Sequence, residues 1–197
     1  MTAAARQLWL LAGGNGAGKS TFHRLFLAPR GVQFVNADEI ARLLCPEAPE
    51  SASYDAAVIA GHLREDLLLR GVSFCFETVY SHPGKIDFVA RARSFGYRVI
   101  LVYIHLDDPT LHLARVAQRV DEGGHTVPAE KILSRLPRTL ANVRNTLPLA
   151  SEVHLLDNSR LDQPFLRLAT LRDGALTLHQ PPADWLATLL ADYLDQA

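Results

Sequence analysis

One stretch near the N-terminus combines the residue types and the spacing that phosphate binding requires. Residues 13–21 match the pattern G-x-x-x-x-G-K-[ST] without a mismatch. Glycines let backbone N–H groups approach a phosphate closely, because no Cβ stands in the way. We expect Lys19 to neutralise the β- and γ-phosphates of a nucleoside triphosphate and the Ser20 hydroxyl to bind Mg²⁺. The predicted nucleotide-binding residues are Gly13, Gly14, Asn15, Gly16, Ala17, Gly18, Lys19, Ser20 and Thr21.

The residues on either side of this stretch predict the structure that such a loop needs. Residues 7–12 form a short apolar run typical of a buried strand, and Phe22, Leu25 and Phe26 follow at helical spacing. Strand, loop and helix in this order argue against a chance match. A dinucleotide-binding G-x-G-x-x-G pattern fails, because Lys19 occupies its last position.

A carboxylate follows the second predicted strand. Residues 33–36 form that strand, and Asp38 lies where a short helix begins. Its carboxylate could accept the proton of an acceptor hydroxyl during phosphoryl transfer. The alternative is that Asp38 caps the helix, since aspartate is a favoured N-cap, and the sequence favours neither interpretation.

A second carboxylate, Glu77, ends the third predicted strand. An acid at this position could act through water on Mg²⁺ or hold the acceptor, and the other interpretation is a solvated loop acid. Thr78 and His82 come next and, together with Asn36, could line an acceptor pocket. For His82 alone, an ordinary surface histidine is the simpler interpretation.

Arginines are frequent on both sides of a glycine-rich connector at residues 121–128. Arg115 and Arg119 are four positions apart and share a helix face, and Arg135 follows the connector. Guanidinium groups suit a pair of phosphate oxygens, so these helices could close over a γ-phosphate as a lid at about residues 115–135. We expect Arg119 to be the first of them to contact phosphate.

The connector leaves other interpretations open. The same arginines could form a solvated helix face with Asp121 and Glu122 as partners. Gly123 and Gly124 would supply the mobility of a lid, and His125 could be a hinge, the tip of the lid or a phosphate contact.

Strands and helices alternate along most of the chain, and the predicted strands are continuous apolar runs. This pattern is typical of an α/β fold with a parallel sheet covered on both faces. We expect helices at about 54–70 and 129–146, a hairpin around Asp173-Gly174, and an apolar C-terminal helix that begins near Trp185. The hairpin and last helix span about residues 165–195.

Composition limits the class of protein. With 197 residues, 48% hydrophobic and 21% charged, the chain suits a single domain over residues 1–197. A net charge of −1 gives no overall attraction to nucleic acid or to an anionic membrane. Cys45 and Cys75 do not form a disulfide pattern, and no signal peptide or membrane span is apparent, so we expect a cytoplasmic protein.

The order of these motifs resembles the zeta toxin family of P-loop kinases. The resemblance covers about residues 7–158 and is carried by the phosphate loop, Asn36-Ala37-Asp38, Glu77 and Leu-Leu-Asp-Asn at the end of the fifth predicted strand. It implies a P-loop NTPase fold, a three-layer sandwich with a five-stranded parallel sheet in the order 2-3-1-4-5 and a helical lid. It also implies ATP and Mg²⁺ as cofactors and phosphorylation of the 3′-hydroxyl of the sugar in UDP-N-acetylglucosamine.

The resemblance carries roles to individual residues. Asp38 matches the catalytic aspartate, Lys19 and Ser20 match the phosphate and metal residues, and Glu77 matches the acid that helps to hold the sugar. Arg119 corresponds to an ATP-contacting arginine. His125 stands nearest the place of a further arginine, for which Arg135 could substitute.

This sequence departs from the family's pattern at two places that concern the acceptor site. Residues 78–82 read Thr-Val-Tyr-Ser-His instead of the family's glycine-containing turn, and the acid expected before strand three has no clear match, although Glu65 and Asp66 are nearby. These differences weaken the sugar nucleotide as the acceptor more than they weaken kinase chemistry.

Three hypotheses follow from the sequence. The first is a kinase that phosphorylates a small molecule, with Asp38 as base. The second is an ATP-binding module that acts through a protein partner such as an antitoxin. The third is a 5′-hydroxyl polynucleotide kinase, which comes last because the net charge is close to zero.

Overall fold

The computed structural model describes residues 5–121 and 126–194. A central sheet runs through these residues, with the strand order β2-β3-β1-β4-β5-β6-β7. Its strands are β1 (Gln7–Ala12), β2 (Gln33–Val35), β3 (Phe74–Thr78), β4 (Arg98–His105), β5 (Glu152–Asp157), β6 (Leu166–Arg172) and β7 (Ala175–Leu178).

The first five strands are parallel and follow the expected order 2-3-1-4-5. The sheet itself has seven strands and is mixed, which corrects the prediction of five. The predicted hairpin is formed by β6 and β7, and β6 pairs antiparallel with β5. Without this pairing, the backbone groups along the outer edge of β5 would lack hydrogen-bond partners.

Helices cover the sheet. They are α1 (Lys19–Phe22), α2 (Ala37–Leu44), α3 (Ser53–Leu69), α4 (Gly84–Ser94), α5 (Pro109–Asp121), α6 (Ala129–Leu133), α7 (Leu136–Thr146), α8 (Asp184–Leu189) and α9 (Ala191–Leu194). The helix expected at about 129–146 is therefore two helices. Pro137 lies in the first turn of α7, where its missing N–H costs no intrahelical hydrogen bond.

Two apolar clusters lie on opposite faces of the sheet. One contains Leu8 and Leu10 of β1 together with Phe74 and Phe76 of β3. The other contains Leu11 and the buried Cys75. Neighbouring residues of a strand point to opposite faces, so both faces of these strands are buried, as the continuous apolar runs predicted.

The C-terminal segment packs on the larger cluster. Leu186, Leu189 and Leu190 are buried there, and the segment forms two short helices instead of the single expected one. In the described ranges, no helix is long and apolar enough to cross a membrane. Gly123, Gly124 and His125, which carried the predicted lid, lie outside the described residues.

Candidate active site

The phosphate loop connects β1 to α1, as the sequence predicted. Gly18 is the N-cap of α1 and has φ +99°. A Cβ at this position would lie 2.6 Å from Nδ2 of Asn158. Both the backbone conformation and the space therefore require glycine here.

Lys19 is buried at the start of α1, and its Nζ donates a hydrogen bond to the Gly14 carbonyl at 3.0 Å. Burial lowers the pKa of Lys19, because desolvation disfavours the ammonium form. The carboxylates of Glu77 and Asp38 oppose this change in pKa, whereas Arg119 adds to it. All three charged groups are thus close enough to Lys19 to interact with it.

These groups line one cavity of about 690 Å³ near the carboxyl ends of the first three strands. We call the part formed by the phosphate loop, α5 and α6–α7 the loop side, and the part formed by residues 36–38, α3 and residues 77–85 the α3 side. The loop side carries Lys19, Arg115, Arg119, Lys131 and Arg135, and the α3 side carries Asp38, Arg64, Glu77 and Lys85. Glu50 also lines the cavity.

Ser20 and Glu77 meet where the two sides join. The Ser20 hydroxyl donates a hydrogen bond to Oε2 of Glu77 at 2.7 Å. A hydroxyl and a carboxylate are the hard oxygen donors that Mg²⁺ prefers. These residues therefore fit the predicted metal site.

The structure distinguishes the two interpretations of Asp38. The N-cap of α2 is Asn36, whose Oδ1 accepts a hydrogen bond from the Asp38 backbone N–H at 2.8 Å. The Asp38 carboxylate is not used as the cap and lines the cavity. Asn36 is also at the cavity wall but is almost fully buried, so capping accounts for its side-chain oxygen.

Arg119 faces the loop side with unused donors. Its Nε and Nη2 atoms are buried and have no hydrogen-bond partner within the described residues. Unpaired buried N–H groups are costly, so this guanidinium fits a ligand that brings acceptor oxygens. Arg115 differs, because its Nη2 donates to the Asn158 carbonyl at 2.8 Å. Burial lowers the pKa of Arg135, which also lines the cavity.

Hydrogen bonds from α7 hold the turn after Glu77 in place. Thr78 Oγ1 accepts from the Tyr80 backbone N–H, Thr139 donates to the Val79 carbonyl, and Asn142 donates to the Tyr80 carbonyl. Tyr80 itself is fully buried and has φ +64°. Thr78 lines the cavity, but its side-chain oxygen is already engaged in a hydrogen bond within the turn.

His82 does not line this cavity. It lies in an adjoining cleft of about 370 Å³ and is exposed, and its Nδ1 accepts a hydrogen bond from the Gly84 N–H. The cleft and the cavity share Arg64 and Lys85, which the sequence analysis did not identify. Helical spacing was the available signal for Arg64, since Ser53, Ala57, Ala60 and Arg64 fall on one face of α3.

Two buried polar residues that support the loop were also missed. Asn158 donates through Nδ2 to the Ala17 carbonyl, and its Oδ1 accepts from the Phe165 N–H. His112 Nδ1 lies 2.6 Å from the Asn15 carbonyl, and only the histidine can donate in that pair. Asn158 was noticed in the sequence only as a polar residue at the end of a strand.

Comparisons with known proteins agree with this architecture. The profile of the AAA_33 family, an AAA domain, matches residues 8–140. An uncharacterized protein of Haemophilus influenzae is 31% identical over 135 residues, which are 65% of this chain and 95% of that protein.

Similar solved structures include a toxin–antitoxin system and an ATP complex. The PezAT chromosomal toxin–antitoxin system of Streptococcus pneumoniae matches with a TM-score of 0.67 and 15% identity, over 100% of this chain and 87% of that one. The AvrRxo1-ORF1:-ORF2 complex with ATP matches with a TM-score of 0.70 and 17% identity, over 89% of this chain. Our chain spans 61% of the length of that AvrRxo1 chain.

A putative kinase from Chloroflexus aurantiacus matches with a TM-score of 0.60 and 13% identity, over 98% of this chain and 99% of that one. At these identities the solved structures establish the fold, which is that of a P-loop NTPase. The profile match and the 31% identity to the protein from Haemophilus influenzae are similarities of the sequence itself. On these grounds the chain belongs to the AAA_33 family of P-loop domains.

Proposed function

We propose that this protein is a phosphotransferase that moves the γ-phosphoryl group of ATP to a hydroxyl of a small-molecule acceptor. The observation that carries the proposal is the arrangement of one cavity. Lys19 and Ser20 lie on its loop side, and the carboxylates of Asp38 and Glu77 lie on its α3 side, close enough to affect the pKa of Lys19. A phosphoryl transferase needs these two kinds of group on opposite sides of the transferred phosphate.

Each residue would have a distinct role. Asp38 accepts the proton of the acceptor hydroxyl while the hydroxyl oxygen forms a bond to the γ-phosphorus. The bond from the γ-phosphorus to the β–γ bridging oxygen breaks, and ADP leaves with that oxygen. Lys19 and the buried, unpartnered N–H groups of Arg119 bind phosphate oxygens. Arg135 adds a second guanidinium from α7. Mg²⁺, held by Ser20 with Glu77 beside it, would neutralise phosphate charge.

The finer form of the proposal is a kinase of the zeta toxin type. The fold shared with the PezAT structure supports it, and an antitoxin partner and a UDP-N-acetylglucosamine-like acceptor belong to the same proposal. The turn at Thr78–Tyr80 is held by hydrogen bonds from α7 and differs from the turn expected in that family, so the acceptor pocket has its own shape.

Cys45 and Cys75 are free thiols, which suits a protein of the reducing cytoplasm.

The test is acceptor-dependent release of ADP, measured with wild type, Asp38→Asn and Glu39→Gln on a mixture of small metabolites. Asp38→Asn should lower acceptor-dependent turnover by about 10²- to 10⁴-fold while ATP binding is retained. Glu39 is exposed on α2 next to Asp38, so Glu39→Gln removes the same charge away from the cavity and should behave like wild type. Full turnover by Asp38→Asn would show that Asp38 is not the base.

The competing proposal is an ATP-binding module that acts through a protein partner. The similarity to the AvrRxo1-ORF1:-ORF2 complex and to the PezAT toxin–antitoxin system supports this alternative, because both contain two different protein components. A pull-down with and without ATP, run beside the metabolite assay, separates the two functions. A partner that binds only with ATP, together with no phosphorylated metabolite, would replace the kinase proposal.

A further inference from the structure

The α3 side of the cavity contains two cations that the proposed chemistry does not use. Arg64 lies on α3 and Lys85 on α4, and both line the main cavity and the adjoining cleft. They therefore stand where the two spaces meet, on the same side of the cavity as Asp38 and Glu77. A group bound between them would belong to the acceptor and not to the nucleotide.

Neither Arg64 nor Lys85 forms an ion pair or side-chain hydrogen bond with another residue in the described part of the chain. The neighbouring carboxylate, Glu65, is held by both terminal nitrogens of Arg91, at 3.0 and 2.8 Å. Burial lowers the pKa of Arg64 and of Lys85, and the charge of Arg64 lowers that of Lys85 further. Two partly desolvated cations that repel each other fit an anion placed between them.

The surroundings hold Arg64 in place and leave space beside it. Its guanidinium carbon lies 5.1 Å from the ring centre of Phe76 and 5.6 Å from that of Phe88. Stacking on these buried rings restricts the side chain and leaves its N–H groups available. The remaining cavity-lining residues of α3 are Ser53, Ala57 and Ala60, whose small side chains leave space on this side of the cavity.

We propose that Arg64 and Lys85 bind an anionic group of the acceptor, so that the acceptor is a small alcohol that carries a phosphate or a carboxylate. This inference rests on the proposed kinase function and names its substrate class. The shared chemistry is an anion held by a guanidinium fork and an ammonium group, on the same side of the cavity as Asp38, which deprotonates the acceptor hydroxyl.

Charge outside the cavity favours a small acceptor over a polynucleotide. Arg91 is paired with Glu65, and Arg70 is paired with Asp66 at 3.0 Å. These two surface arginines are therefore neutralised by carboxylates, which disfavours binding of a phosphate backbone next to them. Arg64 and Lys85 instead line the cavity and the adjoining cleft, where they can meet a compact anion.

The first experiment measures anion binding independently of turnover. With a non-hydrolysable ATP analogue and Mg²⁺ filling the loop side, pyrophosphate, inorganic phosphate and citrate are titrated by calorimetry into wild type, Arg64→Gln, Lys85→Gln and Arg42→Gln. Each cavity variant should weaken anion binding by about 10- to 100-fold, the range expected for one charge-assisted contact. Arg42 is an exposed arginine of α2 outside the cavity, so Arg42→Gln should match wild type.

Equal anion affinity in Arg64→Gln, Lys85→Gln and Arg42→Gln would overturn the proposal, whether or not the protein is a kinase. If Arg64→Gln fails to fold, Lys85→Gln alone still tests the site, because the aromatic rings contact Arg64 and not Lys85. A preference for phosphate or for citrate tells which anion the acceptor carries. Both preferences support the proposal.

The second experiment compares acceptors in matched pairs: glucose with glucose 6-phosphate, uridine with uridine 5′-monophosphate, and glycerol with glycerate. ADP release should be stimulated by charged members only, and Lys85→Gln should raise the acceptor KM by about 10-fold. Equal stimulation by the uncharged members, or a stronger and salt-dependent response to a 5′-hydroxyl oligonucleotide, would overturn the proposal. If nothing stimulates ADP release but anion binding depends on Arg64 and Lys85, the anion site stands and the kinase function fails.

Discussion

The two sides of the cavity were assembled in different ways. On the loop side, the residues of the phosphate loop are contiguous in sequence, and its glycines, Lys19 and Ser20 could be recognised from spacing alone, although α5 and α6–α7 supply the remaining lining residues. On the α3 side, Asp38, Arg64, Glu77 and Lys85 come from four separate segments that the sheet and helices bring together. On the proposed function, the contrast means that ATP is bound by a local motif, whereas the choice of acceptor depends on packing between elements distant in sequence.

The comparison predicts that substitutions on the loop side affect ATP chemistry whether or not an acceptor is present. Lys19→Ala should lower kcat/KM by about 10³-fold and should lower acceptor-independent ATP hydrolysis equally, because a buried cation beside the phosphates is lost. Lys85→Ala is the matched lysine from the α3 side and should leave acceptor-independent hydrolysis near wild type. Steady-state ADP release with and without acceptor measures both, and similar losses in the two variants would break the distinction between the sides.

Stability limits the pH range in which the two sides can be compared. His105 ends β4, where its ring stacks on Trp185 at 3.9 Å between centres, and burial lowers its pKa from 6.5 to about 4. Between these values the unfolded chain takes up a proton that the folded chain does not, so stability is full above pH 6.5 and falls as the pH drops. The loss should reach about 3 kcal/mol at pH 4.

Urea unfolding at pH 7 and at pH 4 measures this effect, with His105→Gln as the variant that removes it. His62→Gln is the control, since His62 is exposed on α3. If wild type and His105→Gln lose the same stability on acidification, the burial of His105 does not control this range.

Arg119 tests whether the unpartnered donors of the loop side serve the nucleotide. Arg119→Ala should lower kcat/KM by about 10²-fold, and Arg119→Lys should recover only part of it, because an ammonium group cannot make two parallel hydrogen bonds. Arg138 is an exposed arginine of α7 outside the cavity, so Arg138→Ala is the control. Kinetics at varied ATP concentration measure the effect, and wild-type behaviour of Arg119→Ala would transfer the role to Arg115 or Arg135.

The smallest expected effect concerns the support of the α3 side. The Thr146 hydroxyl donates to the Asn142 carbonyl, so the Tyr80 hydroxyl must donate to Thr146, at 2.7 Å. Tyr80→Phe should cost about 1 kcal/mol of unfolding free energy. It should also raise the KM for the acceptor more than the KM for ATP, because the turn after Glu77 loosens.

Chemical denaturation and steady-state kinetics of Tyr80→Phe test these expectations, with the exposed Tyr54→Phe as control. An unchanged stability would show that the buried hydroxyl contributes nothing to the turn. A larger change in the KM for ATP than in the KM for the acceptor would show that the turn supports the loop side of the cavity.

Much of the fold followed from local patterns in the sequence. Continuous apolar runs and their flanking turns predicted the five parallel strands, because a strand buried on both faces needs apolar residues throughout. The hairpin was predicted, but its pairing with β5 in the same sheet was not, since no local pattern tells which edge a hairpin joins. Pro137 is a local signal that was given too little weight when residues 129–146 were predicted as a single helix.

The sequence by itself determined the phosphate loop, the strand order expected from its resemblance, and the positions of Asp38 and Glu77 as acids at strand ends. Only the tertiary structure decided that Asn36 caps α2 in place of Asp38, that Ser20 meets Glu77, and that Arg64 and Lys85 line the same cavity as Asp38 and Glu77. The physical reason is the range of the interactions. The conformation of the phosphate loop depends on neighbouring residues, whereas the charges that face one cavity depend on how α3 and α4 pack against the sheet.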